Sequence, residues 1–235
     1  MPSRPDRLVL VCGTGTEVGK TWVAASLIEQ LRARGLSVAA RKPAQSFDVD
    51  LEADRRGERS DAEVLGEASG EDPDVVCLPA RSYHRAMAPP MAAEVLGLPP
   101  FTVADLADEL RWPAPPVAVG LVETAGGVRS PQASDGDAVD LALLLRPEIV
   151  VLVADAGLGM INGVRLSAEA LGGPPGSHTG ADRRATRLVV AVNRFDEGHD
   201  LHRRNRRWLT ERDGFEVVTL PGGEAHLADL VMKDQ

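Results

Sequence analysis

The residues best suited to chemistry lie near the start of the chain, where residues 13–21 read GTGTEVGKT. An apolar run at 8–11 precedes this segment, and apolar residues at helical spacing follow it over 22–31. A strand, a glycine-rich turn and a helix in this order are the context of a phosphate-binding loop, because the curled backbone presents its N–H groups to an anion. The segment therefore predicts a triphosphate cradle in which Lys20 contacts the β- and γ-phosphates and Thr21 binds magnesium.

The glycines of this loop depart from the strict phosphate-loop pattern. That pattern places a glycine five positions before Gly19, which is Thr14 here, whereas Gly13 lies one residue further back. The loop is therefore a variant with a longer reach, and the alternative is a tight strand-to-helix turn without a ligand. We assign nucleotide binding to Gly13, Thr14, Gly15, Glu17, Val18, Gly19, Lys20 and Thr21.

A second lysine follows the next apolar run, 36–40, which predicts a strand that leads into Lys42. Open parallel sheets bind ligands beyond the carboxyl ends of their strands, so Lys42 and Ser46 are expected at the same edge as the loop. We interpret Lys42 as a further contact to a phosphate or a carboxylate. A solvated lysine after a strand is the alternative.

Two carboxylates are candidate magnesium ligands at this edge. Glu123 follows a nearly unbroken apolar run at 117–122 and precedes Gly126 and Gly127, which let a substrate approach the backbone. An acid at such a strand end commonly holds magnesium opposite the loop hydroxyl, and a capping or structural role is the alternative. Asp61 either complements a helix dipole or is an outer magnesium ligand, and the sequence leaves both roles open.

Strands and helices alternate along the rest of the chain. Apolar runs and helical spacing predict strands at 148–154, 188–193 and 215–220 and helices at 102–110, 135–145, 164–171 and 200–212. Ser60 and Glu63 form a capping box that opens another helix. The alternation predicts an α/β protein with the three-layer P-loop NTPase fold, in which helices flank a mostly parallel sheet within a single domain, 1–235. We expect an acidic loop at 47–59 and a flexible surface insertion at 172–187.

Composition narrows the classes of partner. The 235 residues carry a net charge of −9, so no general attraction to nucleic acid is expected, and aromatic residues, at 3%, are too few for base-stacking platforms. Cys12 and Cys77 lie too far apart in sequence for metal-ligand spacing. No apolar run approaches the roughly 18 residues of a membrane span, and residues 1–7 lack the apolar core of a signal peptide. A cytoplasmic protein without a membrane partner is therefore expected.

The chain resembles one enzyme family over nearly its whole length. Motifs occur in that family's order and approximate spacing: GTGTEVGKT at 13–21, KPAQS at 42–46, SDA at 60–62, APPMAAE at 88–94, ETAGG at 123–127 and GMIN at 159–162. The family is that of the dethiobiotin synthetases. The resemblance implies a homodimeric, ATP-dependent ligase that closes a ureido ring from 7,8-diaminopelargonate and CO2 or bicarbonate, with Mg2+ and through a phosphorylated carbamate.

The resemblance also implies a role for each matching residue. Lys20 and Lys42 would stabilise charge on the transferring phosphoryl group and the carbamate. The implied magnesium ligands are Thr21, Asp61 and Glu123. The implied substrate-side contacts are Thr16 and Glu17 in the loop, Ser46 at the carbamate, and the backbone amides of Met160, Ile161 and Asn162, which the partner subunit would offer to the distal carboxylate. The implied adenine contacts are Asn193, Pro221 and Gly222.

Three residues depart from the pattern of this family, which usually has glycine at positions 124 and 47 and often histidine at 163. This chain has Thr124, Phe47 and Gly163. Because Thr124 adds a β-branched side chain next to Glu123, we expect an effect on catalytic efficiency. Phe47 and Gly163 are expected to influence substrate fit rather than ATP binding.

Three other interpretations compete with this one. Cobyrinic-acid amidating enzymes use a similar loop, but they usually carry a glutaminase domain for which this chain has no room. Partition-type ATPases place a signature lysine early in the loop, where this chain has Gly15. The third interpretation is a degenerate family member that binds nucleotide without turnover, and Thr124 and Phe47 motivate it.

Overall fold

A computed structural model of the protein describes residues 4–48, 59–172 and 186–233. Its strands are β1 (Arg7–Gly13), β2 (Val38–Arg41), β3 (Gln45–Ser46), β4 (Ser82–Tyr83), β5 (Val119–Glu123), β6 (Pro131–Ala133), β7 (Gly136–Asp137), β8 (Ile149–Asp155), β9 (Arg187–Asn193) and β10 (Glu216–Thr219). Six of them form one sheet in the order β10-β9-β8-β1-β5-β2. All neighbouring pairs in this sheet are parallel, so the strands end at a common edge.

Helices cover both faces of the sheet. They are α1 (Lys20–Ala33), α2 (Asp61–Ser69), α3 (Pro73–Val76), α4 (Pro89–Val95), α5 (Val103–Glu109), α6 (Ala138–Leu145), α7 (Met160–Ala170), α8 (Asp200–Glu211) and α9 (Glu224–Met232). Helices α1, α2 and α9 share one hydrophobic core with the sheet, and α6, α7 and α8 share the other. The predicted three-layer α/β fold with a mostly parallel sheet is therefore confirmed.

The central strand β1 shows why its sequence is apolar without interruption. Val9 and Val11 face the core beneath α1, whereas Leu8, Leu10 and Cys12 face the opposite core, so both sides of the strand are buried. The strand aligns Val11 with Glu123 of β5 on one side and Gly13 with Val153 of β8 on the other. The chain therefore leaves β1 next to the carboxyl ends of both neighbouring strands.

The predicted capping box at Ser60 forms, and a second one, which was not predicted as a box, forms at Thr102. The Ser60 hydroxyl accepts from the Glu63 N–H while the Glu63 side chain accepts from the Ser60 N–H, and Thr102 and Asp105 repeat this arrangement at α5. These boxes involve only residues within one turn of each other, so local sequence is enough to predict them.

Two predicted helix starts are wrong. The helix expected from residue 135 begins at Ala138, because residues 131–137 form the β6–β7 hairpin and Asp137, not Asp135, caps the helix. The helix expected from residue 164 begins at Met160, because Gly159 takes the left-handed conformation, with φ 93°, that starts the helical turn there.

Several short elements were not predicted from the sequence. Strands β3, β4, β6 and β7 have two or three residues each, too few to show a periodic pattern. The helices α3 and α9 were also missed. Most of the expected acidic loop, 49–58, and of the expected insertion, 173–185, lies outside the described residues.

The two cysteines are free thiols inside the protein. Burial raises the pKa of Cys12 and of Cys77 to about 12, so both thiols stay protonated at neutral pH. A protonated, buried thiol is neither a nucleophile nor a ready metal ligand.

None of the helices within the described ranges is both long and apolar enough to cross a membrane.

Candidate active site

The glycine-rich loop joins the end of β1 to the start of α1. Gly19 caps the helix with φ 87°, and the N–H of Val23 makes the first helical hydrogen bond, 3.0 Å to the Gly19 carbonyl. The first N–H groups of α1 therefore have no helical acceptor and can serve an anion. Lys20 is buried, and its Nζ donates to the Gly15 carbonyl at 3.2 Å, across the mouth of the loop.

Four side chains from different elements meet beside this loop. Thr21 Oγ1 lies 2.7 Å from Asp61 Oδ1 and 2.9 Å from Glu123 Oε1. Lys42 Nζ lies 2.6 Å from Asp61 Oδ2 and 2.6 Å from Glu123 Oε1. Since Lys42 is only 2% exposed, the interpretation of a solvated lysine is wrong. The interpretation that Asp61 only complements the helix dipole does not account for its contacts, because its carboxylate also contacts Thr21 and Lys42.

Burial and charge set the protonation of this cluster. Burial disfavours the charged form of Lys42, but the charges of Asp61 and Glu123 outweigh it and raise the pKa of Lys42. Burial raises the pKa of Glu123, and the positive charge of Lys42 offsets only part of this increase. The Asp61 carboxylate loses solvation too, yet Lys42 holds its pKa below the usual value. For Lys20, burial and the neighbouring charge of Lys42 both lower the pKa.

The donor set fits magnesium. Thr21, Asp61 and Glu123 supply hard oxygen ligands, which Mg2+ prefers. Glu123 Oε2 is buried and has no hydrogen-bond partner among the described residues, as expected for an oxygen that serves as a metal ligand. The described ranges contain no group of three or more His, Cys, Asp or Glu side chains arranged for a metal. Such a site suits Mg2+ held by few protein ligands together with phosphate oxygens.

Two glutamines that sequence reasoning missed position this site. Gln45 Oε1 accepts from the Ala62 N–H at 3.0 Å, which fixes the first turn of α2 and with it Asp61. Gln132 holds the peptide groups of Ala125 from both sides, at 2.9 Å to the N–H and 2.7 Å to the carbonyl. Both side chains are buried. Gln45 lies within the KPAQS segment at 42–46, but nothing local in the sequence indicates the hydrogen-bond partners of either glutamine, because the fold brings each partner near.

The turn after β5 packs directly on the phosphate loop. A Cβ atom added to Gly127 would meet the Gly15 Cα at 3.3 Å, and the N–H of Val128 donates to the Gly13 carbonyl at 3.0 Å. Gly126 has φ 62°, and its added Cβ would lie 3.8 Å from Thr16 Oγ1. The structure therefore brings Gly126 close to Thr16 and Gly127 close to Gly15, and contact of these residues with a substrate stays a prediction.

Ser46 and Phe47 lie at a separate loop contact. Ser46 Oγ donates to the Met87 carbonyl at 2.6 Å, so its hydroxyl is engaged by the protein backbone. The Phe47 ring packs edge-on against His84 with ring centres 4.9 Å apart. The expected contact of Ser46 with a carbamate stays a prediction.

The expected distal-carboxylate residues form the first turn of α7. The N–H of Met160 already donates to the Gly157 carbonyl at 3.3 Å, and the first helical hydrogen bond runs from the Gly163 N–H to the Gly159 carbonyl at 3.0 Å. The N–H groups of Ile161 and Asn162 therefore have no helical acceptor, whereas that of Met160 is engaged. A Cβ added to Gly163 would meet Thr14 Cβ at 3.4 Å, so this helix start also packs on the phosphate loop of the same chain.

The expected adenine contacts gather at the ends of β9 and β10. The N–H of Leu220, next to Pro221, donates to the Val192 carbonyl at 2.8 Å, which aligns the two strand ends. Asn193 is buried, and its Nδ2 donates to the Val18 carbonyl at 3.0 Å. This side chain therefore braces the phosphate loop, a role that sequence reasoning missed. Contact of Asn193, Pro221 and Gly222 with a base stays a prediction.

Thr124 points into the sheet. Its N–H donates to the Val11 carbonyl at 3.0 Å, and its hydroxyl lies 3.4 Å from the same oxygen and near the Cys12 thiol. The side chain is fully buried between β1 and β5. The side-chain contacts of Thr124 do not involve the Glu123 carboxylate, and its link to the cluster is through the backbone, where its carbonyl accepts from Lys42 Nζ at 3.4 Å. The structure therefore gives no physical reason for the Thr124 side chain to disturb the cluster.

Solved structures of other proteins share the fold. Signal recognition particle receptor FtsY from Elizabethkingia anophelis matches with a TM-score of 0.52 at 14% identity, covering 98% of this chain and 67% of that one. A plasmid partition protein from Borrelia burgdorferi matches with a TM-score of 0.52 at 13% identity, covering 97% and 96%. At such low identity these similarities concern the fold alone.

Sequence comparison gives closer relatives. A protein-family model described as "AAA domain" matches residues 7–219. The ATP-dependent dethiobiotin synthetase BioD of Anaeromyxobacter dehalogenans is 39% identical over 165 residues, 70% of each chain. Its namesake from Haloferax mediterranei is 34% identical over 219 residues, 90% of this chain and 82% of that protein. The chain therefore belongs to the family of ATP-dependent dethiobiotin synthetases.

Proposed function

We propose that this protein is an ATP-dependent dethiobiotin synthetase, a ligase that forms the ureido ring from 7,8-diaminopelargonate and CO2. The observation that carries the proposal is the meeting of Thr21, Lys42, Asp61 and Glu123 beside the phosphate loop, in a member of this family. A bare triphosphate site needs only the loop and its lysine. A second buried lysine at the same place supplies charge for a second anionic reactant.

The chemistry proceeds in three balanced steps. One substrate amine adds to CO2 and loses a proton, giving a carbamate. A carbamate oxygen takes the γ-phosphoryl group of ATP, releasing ADP. The second amine then attacks the carbamate carbon, and phosphate leaves as the ring closes and a proton is lost. The reactants need positioning and charge neutralisation more than covalent help from the protein.

The two lysines divide the charge between them. Lys20 Nζ bridges the loop at Gly15, so a small movement places it on the β- and γ-phosphates. Lys42 stays protonated between Asp61 and Glu123, and in this proposal it is the charge that faces the oxygen that accepts the phosphoryl group. Because both are buried, each charge acts in a low dielectric, where it stabilises an anionic transition state more than in water.

Thr21, Asp61 and Glu123 are the residues that would hold Mg2+ in this site. When bound, the ion neutralises charge on the β- and γ-phosphates. The main support for this part of the proposal is the buried Glu123 Oε2, which no side chain or backbone group in the described ranges hydrogen-bonds.

The active protein is proposed to be a cytoplasmic homodimer. Large apolar side chains lie exposed on and around α6 and α7, among them Leu158 at 92% exposure and Leu143, Leu144 and Leu166. Exposed apolar surface of this kind suits a protein interface. It adjoins the first turn of α7, the segment expected to meet the partner's substrate.

Product formation tests the proposal. Purified protein with Mg-ATP, bicarbonate and 7,8-diaminopelargonate is expected to release phosphate and to form dethiobiotin, detected by mass spectrometry. Phosphate release should depend on the diamine, which separates synthesis from simple ATP hydrolysis. Nucleotide binding without any dethiobiotin would contradict the proposal and favour the degenerate, non-catalytic interpretation.

The substitution Thr124→Gly tests whether the unusual residue impairs the enzyme. We expect an unchanged turnover number, because the Thr124 side chain contacts β1 and not the charged cluster. The free energy of unfolding should fall by about 1–3 kcal/mol, through lost burial and a more flexible unfolded chain. Urea unfolding and steady-state kinetics measure both quantities, with Thr124→Ser as the control that keeps the hydroxyl. A tenfold rise in turnover for Thr124→Gly would contradict this prediction.

A further inference from the structure

Arg194, the residue after β9, places a guanidinium group directly behind the phosphate loop. One of its nitrogens donates to the Glu17 carbonyl at 2.8 Å, and another contacts Asp155 Oδ2 at 2.7 Å. The preceding residue, Asn193, donates to the next loop carbonyl, that of Val18, at 3.0 Å. Consecutive residues of one strand end therefore hold consecutive carbonyls of the loop.

These contacts turn the loop amides toward the ligand. In a planar trans peptide the carbonyl and the following N–H point in opposite directions. Holding the Glu17 carbonyl on Arg194 directs the Val18 N–H into the loop, and holding the Val18 carbonyl on Asn193 does the same for the Gly19 N–H. Inward N–H groups are what such a loop offers to phosphate oxygens.

The loop needs this support because its conformation is unfavourable for its sequence. Glu17 has φ 59°, in the left-handed region that a non-glycine residue rarely adopts. Arg194 itself has φ 54°, so the strand end is also bent out of its preferred conformation to reach the loop. Strained backbone of this kind persists where surrounding contacts fix it, and it concentrates at ligand sites.

We propose that Arg194 is a positioning residue for nucleotide binding, which presets the phosphate loop by holding the Glu17 carbonyl outward. It acts through the loop and needs no contact with the nucleotide. The inference rests on the proposed function only in that the ligand is a nucleotide with at least two phosphates. The ion pair with Asp155 orients the guanidinium, and since both side chains are about half exposed it adds little global stability.

Calorimetric titration of Arg194→Ala with ADP and with tripolyphosphate tests this role. We expect both ligands to bind roughly 10- to 100-fold more weakly, the effect of losing one charge-assisted hydrogen bond. The KM for ATP should rise by a similar factor, while the turnover number at saturating ATP changes little, because the loop is used in both the ground state and the transition state. Arg194→Lys should recover part of the affinity, since lysine can still donate to the Glu17 carbonyl.

Arg165→Ala is the matched control. Arg165 is also half exposed and pairs with a carboxylate, Asp213, at 2.6 Å, but this pair lies between α7 and the end of α8 and does not contact the loop. The Arg165→Ala substitution should leave the affinity for ADP unchanged. The proposal would be overturned if the two variants lost the same amount of ADP affinity, or if a folded Arg194→Ala bound ADP as tightly as the unchanged protein. It would also be overturned if Arg194→Ala lost affinity for ADP but not for tripolyphosphate. Tight ADP binding by a wild-type protein that makes no dethiobiotin would contradict the proposed function and leave this inference standing.

Discussion

Lys42→Met is expected to lower the turnover number by on the order of 10²–10³-fold while the affinity for ADP changes much less. The lysine lies between two carboxylates and beside the phosphate loop, 2.6 Å from each carboxylate. The contacts to bound phosphates are proposed to come from the loop backbone and Lys20 instead. Removing it therefore takes charge from the transferring phosphoryl group and leaves the cradle in place. Phosphate release and ADP titration measure the two effects separately.

Lys20→Met provides the comparison. Since Lys20 spans the mouth of the loop, its loss should weaken both nucleotide binding and turnover. If both variants lose ADP affinity equally, Lys42 belongs to the nucleotide site. Its assignment to the oxygen that accepts the phosphoryl group would then be wrong.

The stability of Lys42→Met must be measured alongside its activity. The raised pKa of Lys42 means that its protonated form stabilises the fold at every pH below about 10.4, and this stability is lost only as pH rises through the folded pKa. Leaving Asp61 and Glu123 without their cation should cost about 3–5 kcal/mol in the free energy of unfolding. Lys42→Arg, which keeps the charge but moves it, allows the kinetic test should the methionine variant fail to fold.

Glu123→Gln is expected to lower the turnover number by on the order of 10²-fold or more and to raise the Mg2+ concentration needed for half-maximal rate. The substitution keeps the size of the side chain but replaces the carboxylate whose Oε2 has no hydrogen-bond partner in the part of the chain that the structure describes. Kinetics over a magnesium series measure both changes. ADP binding without magnesium should stay close to that of the unchanged protein.

The same substitution is expected to leave the fold at least as stable at pH 7. An acid whose folded pKa exceeds its unfolded value costs stability once the pH rises past about 4.3, and burial raises the pKa of Glu123 in this way. A neutral glutamine removes that cost. Urea unfolding in the absence of magnesium is the measurement.

Glu71→Gln is the control for this pair of effects. Glu71 pairs with the buried Arg41 at 2.8 Å, away from the magnesium candidates. Its neutralisation should lower stability and leave the magnesium dependence unchanged. An unaltered magnesium dependence in Glu123→Gln would show that this carboxylate does not hold the ion.

The sequence alone determined the features whose causes are local. The apolar runs predicted the parallel strands because each is buried on both faces, and the capping boxes at Ser60 and Thr102 depend on residues within one turn. The phosphate loop was recognisable for the same reason, since the glycines, Lys20 and Thr21 are contiguous.

Tertiary structure alone decided the features that depend on residues far apart in the chain. The order β9-β8-β1-β5-β2 in the sheet produces three such features. It buries Lys42 between Asp61 and Glu123, and it brings Asn193 and Arg194 to the loop carbonyls. It also directs the Thr124 side chain inward. The strand order places these residues together, whereas spacing along the chain says only that each follows a strand. Local propensity depends on neighbours a few residues away in the sequence, whereas hydrogen bonds and ion pairs depend on atoms a few ångströms away in space. Only the fold determines which residues that are distant in the sequence come that close in space.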